Sequence, residues 1–174
     1  SDLPSEEIDK LATSTTAHAD EVSSGTWYAY VMRNDIEPFN DVRVRQAIFK
    51  LIDKPTIAEI TALGHATATL TPIPPSHPAY NDSIGMASPD VEGAKALLAE
   101  AGYADGLDLV LWTPKSAVFE RFAVAFRDAA KAGGVNVEVR PVPDDQFFDE
   151  IEGKQPFTTT NFFGRPTPDT MLYS

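Results

Sequence analysis

Residues 107–139 read LDLVLWTPKSAVFERFAVAFRDAAKAGGVNVEV, and the order of elements within them indicates the fold class. Leu107 to Trp112 is a short apolar run that predicts a strand. Ser116 to Ala132 repeats apolar residues at helical spacing, and a Gly-Gly pair ends that helix. Val135 to Val139 predicts a second strand. A strand, a helix and a strand in succession are typical of an α/β protein.

The alternation continues on both sides of this stretch. Upstream, Ser88 and Pro89 predict the cap and first turn of a helix that ends at Gly102. Downstream, a short helix precedes a last strand, Phe157 to Phe163. The apolar residues that line this short helix are Phe147, Phe148 and Ile151. The second half of the chain therefore predicts an α/β fold with a central mixed sheet flanked by helices.

The first half of the chain predicts three further helices and one strand. A short acidic helix starts at Ser5, and the aromatic run from Gly25 to Met32 predicts the strand. Asp41 caps a helix that runs to Asp53, and a second helix follows it and ends at Gly64. Four prolines between Thr71 and Pro78 then exclude a helix interior or a central strand.

Composition excludes several classes of function. The 174 residues suffice for one domain or two very small ones, and they carry 26 acidic against 14 basic side chains, a net charge of −12. Such a charge argues against a nucleic-acid partner, because phosphate binding requires a basic face. The chain has no cysteine, which excludes disulfides, thiol catalysis and thiolate metal sites.

No catalytic or metal-binding motif is present in the sequence. The three histidines are scattered in loop-like contexts without a metal-ligand spacing, and they are His18, His65 and His77. We therefore predict a protein that is not an enzyme and that holds no metal or cofactor. Arg43 and Arg45 fit two interpretations, a phosphate clamp or structural ion pairs on a solvated helix face, and the second is favoured.

The candidate binding residues follow from the predicted sheet. In α/β sheets, ligands bind beyond the carboxyl ends of the strands, which here points to loops 113–116 and 164–167. The residues at these strand ends are Trp112, Lys115, Phe162, Phe163 and Arg165. Packing at the edge of the core is the alternative role for the aromatic residues, and a plain surface charge is the alternative for the two cations.

Three blocks of sequence also resemble a known family. Glu37 to Ile48, EPFNDVRVRQAI, followed by Ile52-Asp-Lys54, resembles a signature of the solute-binding proteins of ABC importers, in the oligopeptide, dipeptide and nickel class known as family 5. The run TPIPP, residues 71–75, resembles the proline loop of that family. DVEGAKALLAEAGY, Asp90 to Tyr103, resembles its "AKxLLxEAG" helix. The order and spacing of the blocks agree as well, and the resemblance extends from Gly25 to Tyr173.

The resemblance implies a fold, a function and a set of partners. Members of this family are longer, two-lobed proteins that close on a ligand and deliver it to ABC permease subunits in the membrane. Residues 1–174 resemble the second, C-terminal lobe alone, a periplasmic-binding-protein-like type II lobe, so the chain is expected to be a fragment whose first lobe is missing. The implied location is the periplasm, or an extracytoplasmic, membrane-associated position. The implied ligand is a short peptide, an opine-like compound or another small solute, anionic ones included.

One position departs from the family pattern. In the peptide binders, the strand that resembles Thr158 to Phe163 is followed by an aspartate that receives the ligand's amino group, and Arg165 stands at that position here. Arginine prefers a carboxylate or a phosphate, so the charge preference is reversed. Asp169, four residues further on, could substitute for the aspartate. Dipeptide binders also carry a basic residue in the loop after the strand that resembles Leu107 to Trp112, and Lys115 is the nearest candidate for it. Arg33 stands where the family usually has an asparagine after its aromatic strand.

Two other classes of function stay open at this point. A sensing or chaperone-like domain of the same fold would bind a protein segment, and fusion to a signalling domain would favour it over import. An enzyme is the third class, and the absence of a nucleophile–base pair in the sequence argues against it.

Overall fold

The computed structural model describes residues 5–16, 20–22, 25–165, 167 and 170, without the side chains of Glu6, Asp9 and Ala12. The helices are α1 (Ser5–Ala12), α2 (Val42–Leu51), α3 (Lys54–Ala62), α4 (Val91–Glu100), α5 (Ala117–Lys131) and α6 (Asp144–Gln146), and α6 continues as a π-helix over Phe147–Ile151. The strands are β1 (Trp27–Met32), β2 (Leu107–Pro114), β3 (Val135–Val142) and β4 (Phe157–Phe162).

The four strands of the described residues form one mixed sheet, as the sequence predicts, and their order in the sheet is β1-β4-β2-β3. Strand β2 lies parallel to both β3 and β4, whereas β1 lies antiparallel to β4. The ends of the parallel strands, Pro114, Val142 and Phe162, therefore meet at one side of the sheet. Because β1 runs the other way, its first residue, Trp27, pairs with Phe162 at that same side. We call this side of the sheet the carboxyl edge.

Helices α2, α4 and α5 bury one face of the sheet, and the predicted apolar stripes of these helices supply the core. On α5 the residues Phe119, Phe122 and Phe126 are all buried, as their helical spacing predicts. Tyr30 of β1 stacks on Phe122 with ring centroids 4.0 Å apart, and its hydroxyl donates to the Phe122 carbonyl oxygen at 2.7 Å. Burial raises the pKa of the Tyr30 hydroxyl well above its ordinary value, so Tyr30 is a core residue.

Aspartates begin two of these helices. Asp41 caps α2, as predicted, and its carboxylate accepts a hydrogen bond from the Arg43 backbone N–H at 2.8 Å. The predicted cap of α4 at Ser88 is wrong, because Asp90 caps that helix. Asp90 accepts from the Gly93 N–H at 2.8 Å and from Lys50 Nζ at 2.7 Å, and these bonds lower the pKa of its carboxyl group. A carboxylate that satisfies both a helix N–H and an ammonium is the stronger cap.

The π-helix covers part of the second face of the sheet. Phe147 and Ile151 are buried against Val142 of β3. The sequence predicts that both residues line this helix. The prediction that Phe148 lines the same inner side is wrong, because 52% of Phe148 is exposed. The Glu152 N–H donates to the Phe147 carbonyl oxygen, five residues back. This wider turn leaves Phe148 outside while Phe147 and Ile151 face the sheet.

The arginines near β1 and α2 have structural partners. Arg43 forms an ion pair with Asp41 and donates to the Glu100 carbonyl oxygen at 2.7 Å. Arg45 donates to the Phe39 carbonyl oxygen. These contacts confirm the structural interpretation over the phosphate clamp. Arg33 pairs with Asp35 and donates to a carbonyl of the turn before β4, so it lies at the end of the sheet away from the carboxyl edge.

Candidate functional site

Aromatic side chains cluster at the carboxyl edge. Trp27 and Phe162, cross-strand neighbours on β1 and β4, stack with ring centroids 4.6 Å apart and an interplanar angle of 25°. Tyr28 points to the helical face and packs edge-on against Phe119 at 5.3 Å. Phe163 directly follows β4 and is 73% exposed. Stacked and exposed rings of this kind provide apolar contact area for a ligand without a large loss of side-chain entropy.

Three backbone segments meet beside these rings. Gly25 precedes β1 with φ +69°, and a Cβ atom at this position would lie 3.3 Å from the Gly164 Cα atom and 3.8 Å from Pro74 Cγ. The start of β1, the loop after β4 and the proline-rich segment therefore converge at the carboxyl edge. Glycine suits position 25 for two reasons, because it adopts the left-handed backbone conformation without strain and because it lets the Gly164 backbone approach closely.

Replacing Gly25 with alanine tests whether this junction is tight. We expect the variant to lose about 1–2 kcal/mol of free energy of unfolding, because a left-handed conformation penalises a Cβ atom even before the contact with Gly164 is counted. Urea unfolding measures the loss. Gly85→Ala is the matched control, since a Cβ atom there meets no heavy atom within 4 Å. Equal stability of the two variants would mean that the three segments do not meet as described.

Two cations stand at the same edge. Lys115 follows β2 and Arg165 lies three residues beyond β4, and both side chains are exposed. Within the described residues, neither side chain forms an ion pair or a hydrogen bond. Strands β2 and β4 are neighbours, with Trp112 opposite Thr158, and adjacent strands lie about 4.8 Å apart. The loops that carry the two cations therefore leave the sheet side by side.

A buried hydrogen bond fixes the strands just before these loops. Thr113 of β2 and Thr159 of β4 are fully buried, and their hydroxyl oxygens lie 2.7 Å apart. The Thr113 hydroxyl also lies 3.4 Å from the Phe119 carbonyl oxygen on α5. The Lys115 backbone N–H donates to the Val142 carbonyl oxygen at 2.8 Å, so pairing with β3 continues as far as the loop. The two cations are thus anchored on a rigid support.

The structure brings four of the six predicted site residues together, namely Lys115, Phe162, Phe163 and Arg165. Trp112 is half-buried and packs against the cluster that contains Phe147 and Ile151. The guanidinium carbon of Arg140 lies 5.1 Å from its ring centroid. Asp169, the sixth residue, lies outside the described residues.

Trp27 and Tyr28 also lie at the carboxyl edge, where the sequence pattern does not predict them. The sequence predicts ligand contacts at the carboxyl ends of the strands that alternate with helices. Strand β1 precedes all of these strands in the chain, so the prediction does not include it. Because β1 runs antiparallel to β4, the amino end of β1 lies beside the carboxyl end of β4. The signal that could have found these residues is the glycine followed two residues later by an aromatic pair at 25–28.

The described residues offer binding groups and no evident catalytic set. Among them, no group of three or more histidine, aspartate or glutamate side chains could hold a metal ion. His65 contacts Glu21 at 3.0 Å, and His77 accepts the Ala79 N–H, while His18 lies outside the described residues. In the part of the chain that the structure describes, no helix is long and apolar enough to cross a membrane. The arrangement at the carboxyl edge suits non-covalent binding of a molecule with an apolar part and a negative charge.

Comparison with known proteins gives one family and several relatives. The family model described as bacterial extracellular solute-binding proteins, family 5 middle, matches residues 1–174. Heme-binding protein A of Haemophilus influenzae is 42% identical over 85 residues, which are 48% of this chain and 16% of that protein. Glutathione-binding protein GsiB of Escherichia coli is 30% identical over 119 residues, which are 68% of this chain and 23% of that protein. Both relatives are named as binding proteins and neither as an enzyme.

A solved structure agrees with the fold. The periplasmic binding protein DppA of Helicobacter pylori, in complex with the peptide STSA, superimposes with a TM-score of 0.86 at 22% identity, over 98% of this chain and 33% of that chain. This superposition confirms the predicted α/β fold of the type II periplasmic-binding-protein kind. The chain spans about a third of that structure and less than a quarter of the two relatives. Since the family model matches all 174 residues, the chain belongs to the bacterial extracellular solute-binding proteins of family 5.

Proposed function

We propose that residues 1–174 form the second lobe of a two-lobed solute-binding protein that captures a small anionic solute outside the cytoplasm and delivers it to an ABC permease. The carboxyl edge would form one wall of the ligand cleft, and the first lobe would supply the other. Membership of family 5 supports the general role, because family members are extracellular solute-binding proteins. The short share of the relatives that the chain spans is consistent with one lobe.

The observation that carries the anionic preference is the pair of exposed cations, Lys115 and Arg165, beside an aromatic wall. An exposed cation in water is well solvated and needs no partner, but a cleft that closes would remove that water. A ligand carboxylate or phosphate would then replace it, with two parallel hydrogen bonds available from the arginine. The chain as a whole carries an excess of acidic residues, so Lys115 and Arg165 form a local positive patch that would attract a negative ligand.

The aromatic residues would hold the apolar part of the same ligand. Phe163 is exposed, and the stacked pair of Trp27 and Phe162 lies at the same edge. Trp112 is half-buried, and its contact with the ligand stays a prediction. The names of the relatives are compatible with an anionic ligand, since both glutathione and heme carry two carboxylates, and heme also has a large apolar ring.

Closure of two lobes would explain how binding is signalled to the permease. A ligand that contacts both walls stabilises the closed form by its differential affinity for it, and shifts the population from open to closed. No covalent step and no cofactor are needed for this mechanism. The permease would then distinguish the closed form from the open one. One wall alone would bind weakly, because half of the contacts would be missing.

Calorimetric titration of the full-length protein tests the proposal. A panel of dipeptides, acidic sugar conjugates and metal chelates is titrated into the wild type and into Arg165→Ala. We expect an anionic member to bind, and its affinity to fall roughly tenfold or more in Arg165→Ala, because a charge-assisted hydrogen bond is lost in a closed cleft. Arg127→Ala is the matched control, since Arg127 is exposed on α5 and pairs with its neighbour Asp128.

The opposite result has a clear meaning. Tight binding of neutral or cationic peptides that is unchanged in Arg165→Ala would reduce Arg165 to a surface charge and would restore the ordinary peptide-binding interpretation. Capture of a folded protein segment, with no small solute bound, would instead favour the sensing or chaperone-like alternative.

A further inference from the structure

A concave site lies at the end of the sheet opposite to the carboxyl edge. An open groove of about 880 Å³ runs between α2, the start of α3, α4 and the irregular segment that precedes α4. Met32, which lines the groove, is the last residue of β1, whereas Trp27 at the carboxyl edge is the first. The groove is therefore separated from the proposed ligand cleft by the length of a strand. Its volume falls within the range of small-molecule sites.

The groove has apolar walls. Met32, Phe49, Leu70 and Leu97 line it, and they come from four different parts of the chain. Phe49 is 52% exposed although it belongs to α2, whose neighbouring apolar residues are buried. An aromatic ring left half in water beside other apolar side chains indicates a surface that something apolar covers.

The charges around the groove are positive, in contrast to the rest of the chain. Its lining includes three cations, Arg45, Lys50 and Lys54, and one carboxylate, Asp90. Asp90 pairs with Lys50 at 2.7 Å and caps α4, so it does not neutralise the other two. Within the described residues, neither Arg45 nor Lys54 forms an ion pair. The residues that line the groove thus carry two more positive than negative charges, and the carboxylates beside the lining include Asp41, which interacts with Arg45, and Asp53, which precedes Lys54.

Lys54 is the side chain that lacks a counter-charge most clearly. It is half-buried, its Nζ atom lies 5.1 Å from the centroid of the Phe49 ring, and its one hydrogen bond in the described residues is to the Thr69 carbonyl oxygen at 3.3 Å. Burial lowers the pKa of its ammonium group. Lys54 also opens α3, where the helix dipole disfavours a cation, and the carboxylate of Asp53 that caps this helix is bonded to Thr56 rather than to Lys54. A half-buried ammonium with no carboxylate partner is partly desolvated, and an anion beside it would offset that loss of solvation.

From these contacts we infer that the groove binds a small amphiphilic anion, a carboxylate or phosphate head group on a single apolar tail. The head group would pair with Lys54. The tail would lie along Phe49, Leu70 and Leu97 and would cover the exposed ring. A cationic amphiphile does not fit this groove, because its head group would be repelled by Lys54. This site is independent of the cleft proposed at the carboxyl edge.

Titration of dodecanoate and dodecyl phosphate into the full-length protein, below their micelle concentrations, tests the inference. We expect both to bind, and the affinity to fall roughly tenfold or more in Lys54→Met, which keeps the apolar stem on Phe49 but removes the charge. Lys54→Arg is expected to retain binding within about threefold, because the charge remains. Lys131→Met, an exposed lysine on α5, is the matched control and should bind like the wild type. Circular dichroism and thermal unfolding verify that each variant is folded.

Each alternative result contradicts the inference. Equal binding of dodecyltrimethylammonium would show that charge plays no part, and unchanged binding in Lys54→Met would show that Lys54 is not the head-group site. Binding that is lost in Arg165→Ala but kept in Lys54→Met would place the amphiphile in the cleft at the carboxyl edge. An acidic amphipathic peptide that binds in a Lys54-dependent way, while neither dodecyl compound binds, would identify the groove as a docking surface for a protein segment.

Discussion

Replacing Phe126 with alanine is expected to lower the free energy of unfolding by about 3–5 kcal/mol, the largest loss for any single change considered for this protein. Phe126 is fully buried on α5. Its ring lies 4.8 Å from that of Tyr30 and meets Phe157 edge-on at 5.3 Å, so it joins the helical layer to β1 and β4. Alanine would leave a cavity between these rings that the rigid sheet cannot fill. Urea unfolding followed by tryptophan fluorescence measures the loss.

Phe148→Ala is the matched control for this prediction. Phe148 is 52% exposed and meets only Phe147 among the described aromatic residues, edge-on at 5.5 Å. Its removal should cost no more than about 1 kcal/mol, the usual value of one aromatic pair. If Phe126→Ala lost no more free energy of unfolding than Phe148→Ala, the assignment of Phe126 to the core would be wrong.

Replacing Thr113 with valine is expected to cost about 1–3 kcal/mol, because the buried Thr159 hydroxyl would lose its hydrogen-bond partner at 2.7 Å. Thr159→Val should cost less, since the Thr113 hydroxyl would still have the Phe119 carbonyl oxygen within 3.4 Å. The double variant should be closer to the wild type than Thr113→Val is, because both polar groups would then be absent from the core. A double-mutant cycle from urea unfolding gives the coupling between the two hydroxyls.

The control for the threonine pair is Thr67→Val, at an exposed position, where the change should stay within about 0.5 kcal/mol. Additive losses in the two buried variants would mean that the hydroxyls do not interact. The same variants also bear on the proposed function, because Thr113 and Thr159 hold β2 and β4 just before the loops that carry Lys115 and Arg165. Weaker ligand binding without loss of fold would indicate that this bond positions the cations.

Most of the secondary structure follows from local patterns in the sequence. The stripe Phe119, Phe122 and Phe126 recurs at helical spacing, and Asp41 can satisfy an N–H of its own first turn. Both signals involve residues at most a few turns apart, so neighbours along the chain suffice to interpret them. Phe148 and Ser88 show the limit of such reasoning. The spacing of residues along the chain predicts neither the π-helical turn at Phe148 nor the cap of α4 by Asp90, whose partner Lys50 is 40 residues away.

The order of helices and strands, the mixed α/β class and the family were therefore accessible from the amino-acid sequence, together with four of the residues at the carboxyl edge. Only the folded chain shows that Trp27 belongs to that edge, because the direction of β1 depends on pairing with β4, about 130 residues away. It also shows that Lys54 is half-buried beside Phe49 without a carboxylate, since the solvation of a charge depends on groups brought together from distant segments. Periodicity is a local property of a chain, whereas strand pairing and desolvation arise from contacts that form only on folding.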